Sequence, residues 1–136
     1  RPDWVVTSAG TWAIPGLPSS RRTLAALESV GVSAPGHRST TLTRDHLDDV
    51  DLVVAFEAEH VRHVRRLAPE AADRTATLPR FLLPDWPGVA LATEDPRTWV
   101  EVDDPAGGDV EDFIRCAQDI DAQVAQLVAR LDALRR

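Results

Sequence analysis

Asp51-Leu52-Val53-Val54-Ala55-Phe56-Glu57 is the stretch on which the fold turns. Between its two acidic ends lies a near-continuous apolar run of strand length. A strand with one face in water would alternate, so this pattern predicts a strand covered on both faces. Glu57 to Leu67 then changes period: Val61, Val64 and Leu67 fall on one side of a helix that ends before Pro69. A buried strand feeding an amphipathic helix is a βα unit, and Thr75 to Leu78 supplies a candidate for the next strand.

Working outward, Trp4-Val5-Val6-Thr7-Ser8 is β-rich and stops at Ala9-Gly10, which predicts a strand and a turn. After a loop with Pro15, Gly16 and Pro18, Ser19 or Ser20 caps a helix striped by Leu24, Leu27 and Val30 and stopped by Gly31. Thr43 opens a short helix through Leu47. Residues 79–98 hold four prolines and read as loop, with one helical turn near Arg80-Phe81-Leu82. Trp99-Val100-Glu101-Val102 is a last strand candidate. From Asp109 onward, Val110, Phe113, Ala117, Ile120, Val124, Leu127, Leu131 and Leu134 keep the helical period. Alternating strands and helices predict a single α/β domain over residues 1–136, with a mostly parallel sheet.

Composition bounds the function. The 136 residues suit one domain with one core. No apolar run approaches a membrane span, so no membrane partner is expected. One cysteine forms no internal disulfide, which favours a cytoplasmic setting. A net charge of −7 argues against nucleic acid as a partner. The chain opens Arg1-Pro2-Asp3-Trp4, without methionine, directly into a strand-like run. The expectation is that a segment upstream is absent from this sequence.

In open α/β sheets, ligands collect at the C-terminal ends of strands. Three loops qualify: Ser8-Ala9-Gly10-Thr11-Trp12, Phe56-Glu57-Ala58-Glu59 and Asp103-Asp104-Pro105. Asp104 is either a catalytic acid on a stiff turn or a solvated loop charge. Asp103 points elsewhere if the segment is extended. Asp109 reads as the cap of the last helix and Asp95-Pro96 as a turn. Cys116 lies on the apolar stripe of that helix and reads as a packing residue. His60, His63 and Glu57 sit three apart, but the surrounding arginines make this a solvated basic face, and no metal is expected.

The ordered set Ser8-Ala9-Gly10-Thr11 with Trp12, Gly31-Val32 followed by His37-Arg38-Ser39, the Asp51–Glu57 run, and Asp104-Pro105 before the last helix resembles the low-molecular-weight protein tyrosine phosphatases. The resemblance implies a three-layer α/β fold with a four-stranded, mostly parallel sheet of strand order 2-1-3-4. It implies hydrolysis of phosphate monoesters through a Cys-x5-Arg loop and a cysteinyl-phosphate, with Asp104 protonating the leaving phenolate. Trp12 would wall the substrate pocket, and Ser8 and His37 would support the phosphate loop from behind. The substrate would be a phosphotyrosine protein or a small aryl phosphate; no cofactor is implied.

This sequence departs from that pattern at the nucleophile. Its one cysteine, Cys116, is followed six positions on by Ala122 rather than arginine. The expectation is a family domain lacking its first strand, phosphate loop and first helix, and inactive as it stands. A catalytically silent binding or regulatory module is the alternative. Arsenate reduction on the same fold ranks below both, because residues 79–96 hold no relay cysteines. Ala106 and Gly107 follow Asp104-Pro105 where family members often carry tyrosines, which weakens the case for a flat aromatic slot.

Overall fold

The computed structural model describes residues 3–135. Its sheet pairs β1, Val53–Ala55, in parallel with β2, Thr75–Thr77, in the register Val53↔Thr75, Val54↔Ala76 and Ala55↔Thr77. Parallel neighbours need a crossover. Helix α2, Ala58–Leu67, and a 3-10 turn at Pro69–Arg74 provide it. Upstream lie α1, Arg21–Ser29, and a 3-10 turn at Arg44–Leu47. Downstream come the short α3, Leu78–Phe81, turns at Leu91–Thr93 and Pro96–Thr98, and the long α4, Val110–Leu134.

The helix ends follow local chemistry. Ser20 Oγ accepts from Thr23 N at 3.1 Å to open α1. Gly31, at φ 78°, closes it: Gly31 N donates to Glu28 O and Val32 N to Leu27 O, the paired bonds of a Schellman turn. Asp109 Oδ1 accepts from Asp112 N at 3.0 Å at the start of α4. Asp95 opens the turn at Pro96 by accepting from Arg97 N.

β2 is fully buried, and its two threonines satisfy themselves: Thr75 Oγ1 donates to Ala71 O at 2.7 Å, Thr77 Oγ1 to Val100 O at 2.8 Å. Around β2 pack Val61, Leu78, Phe81, Leu91, Trp99 and Val102, with Leu127 of α4 closing one side. A second cluster, Leu47, Val64, Ala68 and Ala71, lies under α2. No helix among the described residues is long and apolar enough to cross a membrane.

Three expectations need correction. Residues 4–8 are in no ladder: Val5 is 93% and Val6 82% exposed, and beyond them the chain makes two isolated bridges, Gly10 to Thr41 and Pro18 to Arg38. Residues 99–102 form no strand either. β1 is not covered on both faces; Ala55 is buried, but Val54 and Phe56 are exposed. The four-stranded sheet of order 2-1-3-4 is therefore represented, among the described residues, by one parallel pair. A β-rich sequence supplies side chains that suit a sheet, but a strand exists only where a partner takes its N–H and C=O groups.

α4 shows the same incompleteness. Its apolar stripe runs the length of the helix, yet Leu127 alone is buried; Phe113, Cys116 and Ile120 are half-covered.

Candidate active site

The strip from Trp99 to Asp104 runs past the C-terminal end of β1, and four contacts hold it. At its root, Trp99 Nε1 donates to Glu94 Oε1 at 2.8 Å. Val100 O takes the Thr77 hydroxyl. Val102 N donates to Phe56 O at 2.8 Å, and the Val102 side chain is buried. Glu101 Oε2 accepts from Ala58 N at 2.6 Å, at the open N-terminus of α2. Asp104 thus follows a strip tied down to within two residues of it.

Beyond the strip the chain makes a tight turn. Asp104 Oδ1 accepts from Ala106 N at 2.9 Å, Gly108 N donates to Pro105 O at 2.9 Å, and Gly107 takes φ 83°. Arg22 of α1 donates to Gly108 O and lies 4.9 Å from the Phe113 ring centroid, so α1 and α4 both grip the turn. Asp104 is exposed and bears on a cleft of about 500 Å³ between α1, α4 and the end of β1. Phe56, Glu57, His60, Asp103 and Pro105 share its wall with Asp104. A second cleft of about 330 Å³ lies between residues 7–11 and the free edge of β1. Phe56 and His60 belong to both, so the two clefts meet there.

Ser8 lines the smaller cleft. Trp12 lines neither; its indole is 84% exposed and sits 6.0 Å from the His63 ring on α2. His37 also lines neither, standing exposed in a turn where its N–H donates to Ala34 O. The structure therefore brings Asp104 and its loop to the strand-end clefts with Ser8 on the adjoining wall, while Trp12 and His37 stand apart.

Cys116 faces the larger cleft from α4, with Sγ 3.6 Å from Asp103 O. Burial raises its thiol pKa, and Asp119, Asp104 and Asp103 raise it further. That is the reverse of what an attacking thiolate needs. His60 accepts from Glu57 N through Nδ1 and faces the Glu57 carboxylate through Nε2, both at 3.2 Å. Among the described residues no group of three or more His, Cys, Asp or Glu converges as metal ligands would.

Two contributors escape sequence reasoning. Glu101 lies inside the expected strand over residues 99–102 and Arg22 inside the helix after Ser20, and neither has an assigned role in the sequence. Their partners lie 43 and 86 residues away, and no spacing rule links them.

The family model described as low molecular weight phosphotyrosine protein phosphatase matches residues 3–136, and the chain belongs to that family. It is 28% identical over 126 residues to a protein-arginine-phosphatase of Geobacillus stearothermophilus, a match that takes in 93% of this chain and 76% of the relative. It is 31% identical over 77 residues to the low molecular weight protein-tyrosine-phosphatase Etp of Escherichia coli, spanning 57% of this chain and 52% of Etp. Among solved structures, the YwlE arginine phosphatase from Geobacillus stearothermophilus superposes with a TM-score of 0.80 at 27% identity, covering 98% of this chain and 77% of that one. A low molecular weight protein tyrosine phosphatase from T. tengcongensis gives 0.77, also at 27% identity, with 94% and 78% coverage.

Proposed function

We propose that these 136 residues form the acid-bearing part of a phosphatase that hydrolyses phosphotyrosine or aryl phosphate monoesters, with Asp104 as the general acid. The nucleophile and the phosphate-holding arginine come from a Cys-x5-Arg loop outside this sequence. The thiolate displaces the aryl oxygen from phosphorus, Asp104 gives that oxygen its proton, and water then releases phosphate from the cysteine. Without that loop the chain is inactive.

The observation that carries this reading is the placement of Asp104-Pro105. A turn tied to the end of β1 through Val102 N and Phe56 O presents a carboxyl group to an open cleft. The bare surfaces support the second half. Residues 7–11 and β1 face each other across the smaller cleft, and α4 leaves its apolar stripe half-covered beside the larger one. These are the surfaces that a further strand and helix would bury. Trp12 is assigned to the aryl wall although it lines neither cleft here, and Ser8 and His37 are assigned to supporting the phosphate loop.

A second substrate reading has its own support. Glu57, Asp103 and Asp104 line the larger cleft, and Ala106 and Gly107 add no aromatic surface after Pro105. An anionic rim favours a cationic leaving group, such as the guanidinium of phosphoarginine, the substrate class named for the Geobacillus relative. Turnover of phosphotyrosine and phosphoarginine peptides by the product of the complete reading frame separates the two. The same experiment tests the reading as a whole: the 136-residue chain should turn over neither substrate, and the complete product should turn over at least one. A complete product that carries no Cys-x5-Arg and is inert would instead identify a silent binding module.

A further inference from the structure

We infer that Glu101 is a positioning residue for Asp104, holding the acid strip in register with the end of β1 through the N-terminus of α2. The inference rests on the assignment of Asp104 as the acid.

The first residues of a helix have N–H groups with no partner inside the helix, and the helix dipole makes that end favour negative charge. In α2 the N–H of Ala58 is such a group, and it donates to Glu101 Oε2 at 2.6 Å. Glu101 is therefore a long-range cap. The next residue, Val102, gives its own N–H to Phe56 O at 2.8 Å and buries its side chain. Two consecutive residues are thus fixed by different means, one by side chain and one by main chain, onto β1 and α2, which are themselves continuous through Phe56 and Glu57.

Without Glu101 the strip is still fixed to β2 through the Thr77 hydroxyl on Val100 O and to the end of β1 through Val102 N. The Glu101 carboxylate adds the attachment to α2, between those two points and on a different element. Only Asp103 then separates the fixed portion from Asp104, and the far side of the turn is held through Arg22 to Gly108 O. Loss of the Glu101 carboxylate leaves Asp104 in place chemically while loosening its position. A displacement of about 1 Å in a catalytic group lowers rate by up to about a hundredfold.

The distinguishing readout is leaving-group dependence. Phenolate departs poorly without a proton, whereas para-nitrophenolate departs readily. In the product of the complete reading frame, Glu101→Ala should lower kcat on phenyl phosphate by about tenfold or more. On para-nitrophenyl phosphate it should lower kcat by less than about threefold, with KM nearly constant on both. Glu101→Gln retains an oxygen that accepts the Ala58 N–H and should restore most of the phenyl phosphate rate. An equal fall on both substrates, or no fall on either, would overturn the inference.

Asp104→Asn, run beside it, should show the same discrimination in stronger form. If it does not, the acid assignment has failed rather than the tether. The tether is then read on the complete reading-frame product by amide exchange. Glu101→Ala should speed exchange at Ala58, Val102 and Ala106 while leaving Ala76 in β2 unchanged. Unaltered exchange at Val102 and Ala106 would also overturn the inference.

Discussion

Arg80→Ala is the sharpest test of how the acid strip is anchored. The Arg80 side chain is 4% exposed and forks between two carboxylates. Nε and Nη2 donate to Glu94 at 2.9 and 3.0 Å; Nη1 and Nη2 donate to Asp85 at 2.8 and 3.0 Å. Glu94 also receives Trp99 Nε1, so the cluster secures the root of the strip that leads to Asp104. Removing one partner of a buried ion pair costs about 3–5 kcal/mol. Here the abandoned carboxylates reach water, Asp85 at 51% and Glu94 at 30% exposure, which places the loss near the lower end, about 3 kcal/mol. Against the roughly 5–15 kcal/mol that holds an ordinary domain, this is a large fraction. For a chain of this size it corresponds to a fall in Tm of roughly 10–15 °C.

The pH dependence of that loss has a definite sign. The Arg80 hydrogen bonds, opposed by burial and helped by the Trp99 N–H, hold the Glu94 carboxyl below its ordinary value of 4.5. A carboxyl group depressed on folding contributes stability that is present above that ordinary value and is lost as pH falls through the depressed one. Urea unfolding followed by circular dichroism should therefore show a wide gap between wild type and Arg80→Ala at pH 7. The gap should narrow as pH falls below the ordinary carboxyl value of 4.5. Arg80→Lys, which keeps the charge but not the fork, should fall between. A loss under about 1 kcal/mol at pH 7, or a gap equally wide at pH 3, would refute the reasoning.

Two further substitutions probe the acid turn and the lone thiol. Gly108→Ala would place a Cβ 2.5 Å from Asp112 Oδ2 and 2.9 Å from Pro105 O, so it should destabilise by about 1–3 kcal/mol in thermal unfolding, with loss of protection at Asp109. Cys116→Ser should leave the activity of the complete reading-frame product unchanged and alter its stability by less than about 1.5 kcal/mol, because the half-buried thiol is held protonated and a serine hydroxyl keeps a donor toward Asp103 O.

What the sequence made legible was mostly local. Ser20, Gly31, Thr43, Pro69 and Asp109 mark element boundaries that the structure reproduces, because caps and breakers act within a turn of chain. The stripes of α2 and α4 were readable for the same reason. The strand expected over residues 4–8 was not, because pairing depends on a neighbour distant in sequence, and residues 4–8 join no ladder. The Arg80 cluster was hidden in a proline-rich loop, where nothing in composition distinguishes a buried guanidinium from a solvated one. Asp104 could be singled out only by its turn and by likeness to a family. Glu101, which ties that turn to α2, had no signal in the sequence at all.

Delivery of a proton by Asp104 to the leaving oxygen is tested most directly by one rate constant. In the product of the complete reading frame, Asp104→Asn should lower kcat on phenyl phosphate by about 10²–10⁴-fold, the usual worth of a general acid. A variant that turns over at the wild-type rate would contradict it.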